Sequence, residues 1–265
     1  KHGESKSNEV EPPKTFGDSF NKAAYQLTDA QQLLQKKHGH PRDDKMSFEA
    51  EEHKYFYEGT PLKFSVTEVV GMCGQRFDPD HSIAMMKAGS RWPRAEYMTR
   101  GGVAWSDAQI KAFWDNMGMH ARNRGTWMHY NIERYWNELP PLDREPEMPK
   151  FLQFREEVLD VAGVVPWRTE WRVCDPAVSV GGSIDFVGRL PDGTYCIVDW
   201  KRSKLKEVHP GWAVKWMKEP LSHLQETRTT EYFLQLNIYR RILQDVYGLP
   251  VSRMVLAAFH PTEST

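Results

Sequence analysis

The stretch from Ser183 to Lys201, S-I-D-F-V-G-R-L-P-D-G-T-Y-C-I-V-D-W-K, decides the fold. Two runs rich in β-branched, aromatic and aliphatic residues flank Pro191-Asp192-Gly193, an order that predicts a β-hairpin. Side chains alternate along a strand, so Asp199 and Lys201 should share one face of the second strand. The remaining residues of that strand then divide into Tyr195 and Ile197 on the acidic face, and Cys196, Val198 and Trp200 on the apolar face.

The length of the turn determines which residues face each other across the hairpin. A two-residue loop places Asp185 opposite Trp200, whereas the three-residue loop Pro191-Asp192-Gly193 places it opposite Asp199. Three-residue loops favour proline early and a left-handed glycine last, which is the order found. Directly opposed residues have Cβ atoms about 5 Å apart, and two carboxylates that close repel unless a cation lies between them. The sequence therefore predicts a divalent-metal site beside Lys201, or a surface network in which Lys201 neutralises one aspartate.

The composition is that of a globular protein with a substantial core. The chain has 265 residues, 40% of them hydrophobic, and 10 tryptophans. This size suits one large domain with a helical elaboration. The net charge of −1 gives no global basic field, so nucleic acid would have to bind at local patches. No apolar run approaches the length of a membrane span, and we expect no membrane association. The chain starts with Lys1 rather than methionine, which indicates a processed or trimmed fragment.

Three cysteines, Cys73, Cys174 and Cys196, lie far apart in the sequence. They form no C-x-x-C pair, so the sequence supports neither a zinc ribbon nor an iron–sulfur cluster. Cys174 and Cys196 lie in strand-like runs and are expected to be core thiols in a reducing, intracellular compartment. The sequence does not distinguish the nucleus, the mitochondrion and a viral or host cytoplasm.

The N-terminal third contains several short elements. Residues 1–20 are polar and contain prolines, which predicts a disordered lead. Capping boxes at Thr28 and Ser65 predict helices that begin there. The first of these helices should end near Lys37 and the second near Met72. A hairpin over Lys54–Lys63, around Glu58-Gly59, and a helix over Asp80–Ala88 are also expected.

Arginines and aromatic residues alternate after that helix. Arg91, Arg94 and Arg100 are interleaved with Trp92 and Tyr97. This combination suits contact with a nucleic-acid backbone and stacking on its bases. A solvated loop with packed aromatic side chains is an equally good interpretation.

Two helices are expected in the next segment, one from Ser106-Asp107 to about Met117 and one from His120 to Asn137. Gly125 lies one turn before His129 on the second helix, on the same face. The small glycine would let the helix approach a sheet closely, so that His129 overhangs a site on that sheet. A histidine with ordinary core or surface contacts is the alternative.

Glu170 lies in a strand-like run from Val164 to Val173. A carboxylate among tryptophans and valines is costly to bury unless it is paired or ligates a metal. Before this run, we expect a proline-rich connector over Leu139–Pro149 and a helix over Lys150–Val161. After it, Asp175-Pro176 and Gly181-Gly182 are expected to end the strand before the central hairpin.

Glu231 to Tyr247 has apolar residues at helical spacing and predicts a long helix. Gln235 and Tyr239 are four residues apart and share one face of it. Before this helix, we expect an irregular segment over residues 203–229 that includes a short amphipathic helix with Trp212, Trp216 and Met217. After it, we expect a last strand over Arg253–Phe259.

Five of these features occur in a recognisable order: G-x-x-x-H at Gly125–His129, Glu170 on a strand, Asp185, D-x-K at Asp199–Lys201, and Q-x-x-x-Y at Gln235–Tyr239. This order resembles the PD-(D/E)XK nuclease superfamily and, within it, the RecB-like exonuclease branch. That branch includes mitochondrial genome maintenance exonuclease-like, Cas4-like and viral exonuclease-like proteins. The resemblance covers about residues 50–260. Asp199 departs from the glutamate of many members, and the cluster cysteines of Cas4-like proteins are missing.

The resemblance implies an α/β fold with a restriction-endonuclease-like core, a central mixed β-sheet flanked by helices, and a helical N-terminal elaboration. One nuclease domain would cover residues 21–265, with the elaboration at about 65–150 and the catalytic core at about 120–260. The implied cofactor is Mg²⁺ or Mn²⁺, without an iron–sulfur cluster. The implied ligands are the side chains of Asp185, Asp199, His129 and Glu170 and the backbone carbonyl of Trp200.

The resemblance also assigns the remaining site residues. Lys201 would orient the attacking water and stabilise developing charge, and Gln235 and Tyr239 would position the lysine or the DNA backbone. The candidate DNA contacts are Arg122, Arg124, Lys204, Arg240 and Arg241, each of which could equally be a solvated surface residue.

The implied function is hydrolysis of phosphodiester bonds in DNA. An exonuclease acting on single-stranded or end-containing DNA in replication, repair or recombination is expected. The alternatives are an endonuclease of the same fold and a catalytically silent member that binds nucleic acid or acts as a scaffold. The filled signature positions favour an active enzyme.

Overall fold

The computed structural model describes residues 32–140, 146–203 and 214–260, which fall into two compact units. The larger unit contains residues 32–75 and 125–260, and the smaller contains residues 76–124. The expected lead over residues 1–20 and the capping box at Thr28 lie outside the described residues. Among the described helices, none is long and apolar enough to cross a lipid bilayer.

The regular elements follow one another in mixed order along the chain. The helices are α1 (Leu33–Lys37), α2 (Val66–Cys73), α3 (Pro79–Ala88), α4 (Asp107–Trp136), α5 (Glu147–Phe154) and α6 (Arg228–Asp245). The strands are β1 (Met46–Glu49), β2 (Lys54–Tyr57), β3 (Thr60–Pro61), β4 (Phe64–Ser65), β5 (Val165–Asp175), β6 (Val180–Arg189), β7 (Tyr195–Lys201) and β8 (Val251–Ala258).

The larger unit is built on a mixed sheet of β4 to β8. Strand β6 pairs antiparallel with β5 and β7 and parallel with β4, while β7 pairs parallel with β8. Strands β1 to β3 form a separate antiparallel sheet, which includes the expected hairpin around Glu58-Gly59. The predicted mixed α/β architecture, with a central sheet flanked by helices, is confirmed.

The turn between β6 and β7 has the predicted three-residue geometry. The Leu190 N–H donates to the Thr194 carbonyl at 2.8 Å, and Gly193 has a φ of 85°. Phe186 pairs with Val198, which leaves Asp185 and Asp199 as the next residues on the two strands. The register predicted from the turn is confirmed.

Helices cover both faces of the central sheet. On one face, Leu236 and Leu243 of α6 pack in the same cluster as Ile197 of β7. On the other, Phe151 of α5 and Met128 of α4 join a cluster with buried strand residues that include Trp200. Each fully buried aliphatic or aromatic side chain contributes about 1.5–3 kcal/mol relative to exposure, so these two layers fix the sheet that carries the two aspartates.

The smaller unit has an aromatic core of its own. Ile83 of α3 and Ile110 of α4 are fully buried beside Tyr97. Trp92 stacks on Tyr97 with ring centroids 6.1 Å apart, while Arg91, Arg94 and Arg100 are exposed. The aromatic side chains of this segment are therefore packing residues, and its arginines face solvent.

The helix expected to end near Met117 instead continues as one helix to Trp136. It begins as predicted at Ser106, whose Oγ accepts from the Gln109 N–H. A single helical glycine such as Gly118 costs about 1 kcal/mol relative to alanine, and buried residues on both sides of it offset that cost. The prediction of two helices was wrong, since residues 117–120 continue the same helix.

Three other boundaries differ from expectation. Gly181 and Gly182 lie inside β6, because strand partners continue through both. Helix α5 begins at Glu147, inside the expected connector and before the expected start at Lys150, while its π-helical continuation to Asp160 agrees with the expected end near Val161. Residues 214–227 contain no helix, and Trp216 pairs with Gln225 in a short bridge. The capping box at Ser65 was correct, since its side chain accepts from the Glu68 N–H.

Candidate metal centre

Three potential ligand side chains converge from three elements. His129 projects from α4, Glu170 from β5 and Asp185 from β6, and one donor atom of each lies within 4.8 Å of the others. Asp185 is buried, and the other two are partly buried. A carboxylate pair with an imidazole is a donor set that proteins use for divalent cations.

His129 connects this group to the end of β7. Its Nδ1 lies 3.2 Å from Oε1 of Glu170 and 3.6 Å from Oδ1 of Asp185. Its Nε2 lies 2.9 Å from the Trp200 carbonyl oxygen, which only accepts, so Nε2 donates in this arrangement. Burial lowers the pKa of His129, but the Asp185 and Glu170 carboxylates outweigh it and raise that pKa to about 9. Without a metal, the charged imidazole supplies the positive charge that the carboxylates need.

Asp185 is held by the backbone of the neighbouring strand. Its Oδ2 accepts a hydrogen bond of 2.8 Å from the Trp200 N–H. Burial raises the pKa of Asp185, the nearby His129 opposes this and the Asp199 carboxylate adds to it, so that the pKa reaches about 7. The unfavourable burial of negative charge is what a bound cation would relieve.

Asp199 lies next to this group but bonds to the lysine. The Lys201 Nζ is 2.9 Å from Oδ1 and 2.8 Å from Oδ2 of Asp199, whose side chain is almost completely buried. Burial lowers the pKa of Lys201, but Asp199 and Asp185 outweigh it and raise that pKa. The lysine is therefore charged and fixed beside the three converging ligands. Asp199 is not one of the three side chains that share a common donor cluster among the described residues.

Glu170 occupies a strained backbone position. Its φ of 43° lies in the left-handed region, although it is not glycine. Ser183 donates to its Oε2 at 3.3 Å, while Oε1 faces His129. Residues held in this region cost about 1–3 kcal/mol, so the surrounding structure keeps the carboxylate in place against that cost.

Gln235 and Tyr239 lie on α6, the helix that packs on the face of the sheet that includes Ile197. The two side chains are hydrogen-bonded to each other, and Tyr239 is 3% exposed. A Cβ placed on Gly182 would lie 2.5 Å from the Tyr239 hydroxyl. Gly182 therefore leaves the room that Tyr239 occupies next to Ser183.

The role expected for Gly125 is not supported. A Cβ at Gly125 would meet no atom within 4 Å among the described residues. A glycine is therefore not needed there for close packing of α4 on the sheet, and this interpretation was wrong. The neighbouring His129 reaches the site from an ordinary helical position.

Glu133 is a buried acid that the sequence interpretation missed. It is 2% exposed, and its Oε2 has no hydrogen-bond partner among the described residues. Glu133 and Glu170 line one small cavity together with Thr169 and Arg172. Burial and the Glu170 carboxylate raise the pKa of Glu133 well above its ordinary value. Its position one turn after His129 on α4 is the signal that could have revealed it.

Four of the five predicted DNA contacts lie on α4 and α6. Arg122 is exposed on α4, and Arg124 of the same helix is partly buried. On α6, Arg240 donates to Gln244 and Arg241 pairs with Asp245 at 3.2 Å. Lys204 lies outside the described residues.

Comparison with known proteins adds a distant structural likeness. No protein-family model and no curated protein matches the chain. Among solved structures, a chain of the EndoMS–dsDNA2 complex matches at 14% identity with a TM-score of 0.27. The match covers 46% of this chain and 48% of that one, so the chain spans about half the length of that protein. At this TM-score the likeness carries no argument about function.

Proposed function

We propose that the protein is a metal-dependent nuclease that hydrolyses phosphodiester bonds in DNA. The observation that carries the proposal is the convergence of His129, Glu170 and Asp185 beside the Asp199–Lys201 ion pair. A cation site with a fixed lysine beside it can activate a water and stabilise the charge that develops during phosphodiester hydrolysis.

The residues at the site fit Mg²⁺ or Mn²⁺. Their donors are carboxylate oxygens, one imidazole and, at the end of β7, the Trp200 carbonyl oxygen. These cations prefer oxygen donors. Free cysteines are absent from the described group, so a thiolate-bound metal has no support there. Asp185, His129 and Glu170 would hold the cation, with Asp199 and the Trp200 carbonyl as further candidate donors.

A bound divalent cation polarises a phosphate and lowers the pKa of an attacking water. The protein's own groups then have distinct tasks. Lys201, fixed by Asp199, orients the water and offsets the negative charge that develops on the phosphate. Glu170 is aimed by Ser183, and the Gln235–Tyr239 pair supports the strand from the side of α6.

Within this class we propose an exonuclease acting on single-stranded or end-containing DNA in replication, repair or recombination. The order of motifs that resembles the RecB-like branch supports this narrower assignment. Phosphate contacts by Arg122, Arg124, Lys204, Arg240 and Arg241 are part of the same proposal.

Digestion of end-labelled linear and circular single-stranded DNA of one sequence tests the proposal. With Mg²⁺ or Mn²⁺ the linear strand should shorten from an end while the circle stays intact, and EDTA should stop the reaction. Cleavage of the circle would instead identify an endonuclease. If neither substrate nor any duplex form is cut with either cation, the protein is a silent binding module. Asp185→Asn serves as the inactive control and Asp115→Asn, on the exposed surface of α4, as the matched active one.

A further inference from the structure

The ammonium group of Lys201 has an aromatic neighbour in addition to its aspartate. The Nζ atom lies 4.8 Å from the centroid of the Tyr232 ring. The Lys201 side chain is 19% exposed, and Tyr232 is partly buried at the start of α6. A cation over an aromatic face at this distance is attracted by the ring, and the attraction strengthens as the pair is removed from water.

The position of the Tyr232 ring is set by the rest of α6. Tyr232, Gln235 and Tyr239 follow at intervals of three and four residues, which places them on one face of the helix. Tyr239 is hydrogen-bonded to Gln235 and fills the space left by Gly182. Because Tyr239 is fixed by these contacts, the position of α6 relative to β6 is also fixed. The Tyr232 ring on the same face of the helix therefore has a defined position next to Lys201.

A lysine ammonium group needs contacts that restrain its position more than most catalytic groups do. Its ammonium lies at the end of a flexible four-carbon chain, and among the described residues its polar contact is Asp199. That carboxylate is also one of the further candidate donors to the proposed cation site. A ring on the second side restrains the ammonium without supplying another negative charge.

We infer that Tyr232 is a positioning residue for Lys201, whose ring holds the ammonium group by a cation–π contact and so aims it at the phosphate. The inference rests on the proposed nuclease function and extends its helical motif to Y-x-x-Q-x-x-x-Y. The hydroxyl of Tyr232 is not needed for this role, since the attraction comes from the face of the ring.

The competing explanation is that Tyr232 only fills space. Tyr232→Phe keeps the ring, whereas Tyr232→Leu keeps apolar bulk without it, so the two variants separate the explanations. Phe233→Leu is the matched control, because Phe233 is the next residue of α6 and is 45% exposed.

In the cleavage assay, Tyr232→Leu should lower kcat about tenfold, as expected for loss of a contact of this kind. Tyr232→Phe and Phe233→Leu should stay within about twofold of the wild type. KM and the Mn²⁺ dissociation constant measured by calorimetry should be unchanged in all three variants. Equal kcat values for the leucine and phenylalanine variants, or a change confined to KM, would overturn the inference.

A measurement independent of cleavage examines the contact itself. In protein labelled with ¹³C at the lysine ε position, the Lys201 signal, assigned by its loss in Lys201→Arg, should be shifted upfield by the ring. The shift should persist in Tyr232→Phe and vanish in Tyr232→Leu. An unshifted wild-type signal would reject the contact even if cleavage is observed. A shifted signal in a protein that cleaves no DNA would retain the contact and reject the nuclease function.

Discussion

The backbone N–H of Trp200 donates to the carboxylate of Asp185 across the central hairpin, and the carbonyl of the same Trp200 faces His129. The backbone of Trp200 therefore orients both an acidic and an imidazole candidate ligand. Asp185 uses Oδ2 for this bond and directs Oδ1 toward His129. The strand end of β7 is thus part of the site through its backbone as well as through Asp199 and Lys201.

Replacing Asp185 by asparagine should abolish metal binding and cleavage together. The amide oxygen can still accept from the Trp200 N–H, so the hairpin should remain folded. The negative charge that attracts the cation is lost. Calorimetric titration with Mn²⁺ and a cleavage assay on Asp185→Asn measure both effects, with circular dichroism as the check on folding. Binding equal to that of the wild type would remove Asp185 from the metal site.

Replacing Lys201 by alanine should separate binding from catalysis. Cleavage should fall by about a hundredfold or more, the scale for loss of a positioned catalytic group. Mn²⁺ affinity should be kept or increased, since a positive charge next to the site is removed. Lys45→Ala, which breaks an exposed ion pair with Glu58, is the control. Near wild-type cleavage by Lys201→Ala would exclude the lysine from the mechanism.

The metal-free protein should lose stability as the pH rises from 6.5 to 9. The folded-state pKa of His129 is about 9 against an ordinary 6.5, and that of Asp185 is about 7 against 3.8. Both raised values mean that the folded state binds protons more tightly than the unfolded state. The His129 contribution is therefore lost as the pH rises from 6.5 to about 9 and carries this prediction, whereas the Asp185 contribution is lost between about 3.8 and 7 and is mostly gone at the start of the interval. Saturating Mn²⁺ should reverse the loss, because the cation replaces the protons.

Thermal unfolding at pH 6.5 and pH 9, in EDTA and in Mn²⁺, measures this effect. The double variant His129→Gln/Asp185→Asn should show a smaller decrease in Tm over the same interval in EDTA. A decrease as steep as that of the wild type would assign the pH dependence to other groups.

Two glycine substitutions should have opposite effects on the free energy of unfolding. Gly182→Ala places a Cβ 2.5 Å from the Tyr239 hydroxyl and should cost about 1–3 kcal/mol, the scale of overpacking a core. Gly125→Ala meets no atom within 4 Å and should stabilise α4 by up to about 1 kcal/mol. Urea unfolding of both variants gives the two values. Destabilisation by Gly125→Ala would show that this glycine does have a packing role.

The part of the site that the sequence predicted is the part fixed by local rules. Proline, aspartate and glycine in that order set the turn, and strand alternation then set the register of Asp185 and Asp199. Glu170 was identifiable because a carboxylate in an apolar strand needs a partner. The contact of Tyr232 with Lys201 joins residues about thirty positions apart. Helical spacing shows which face Tyr232 occupies but not what lies opposite that face.

The boundaries that were missed have a similar cause. Gly181 and Gly182 carry no strand preference of their own, and β6 continues through them because β5 supplies partners on its edge. Glu133 is polar in sequence yet buried in the fold. Tertiary packing determined the strand conformation of the two glycines and the burial of Glu133. Patterns in a single sequence show only local preferences, which packing can override.

The left-handed backbone conformation of Glu170 lowers the stability of the folded protein at this position. Glycine adopts such a φ freely, whereas glutamate there, together with buried acids nearby, lowers stability. Exchanging Glu170 for glycine or asparagine, which adopt a left-handed φ more readily, is therefore expected to raise the free energy of unfolding. The same exchange removes one of the three candidate metal ligands, so folding stability and cation binding make opposite demands on this position.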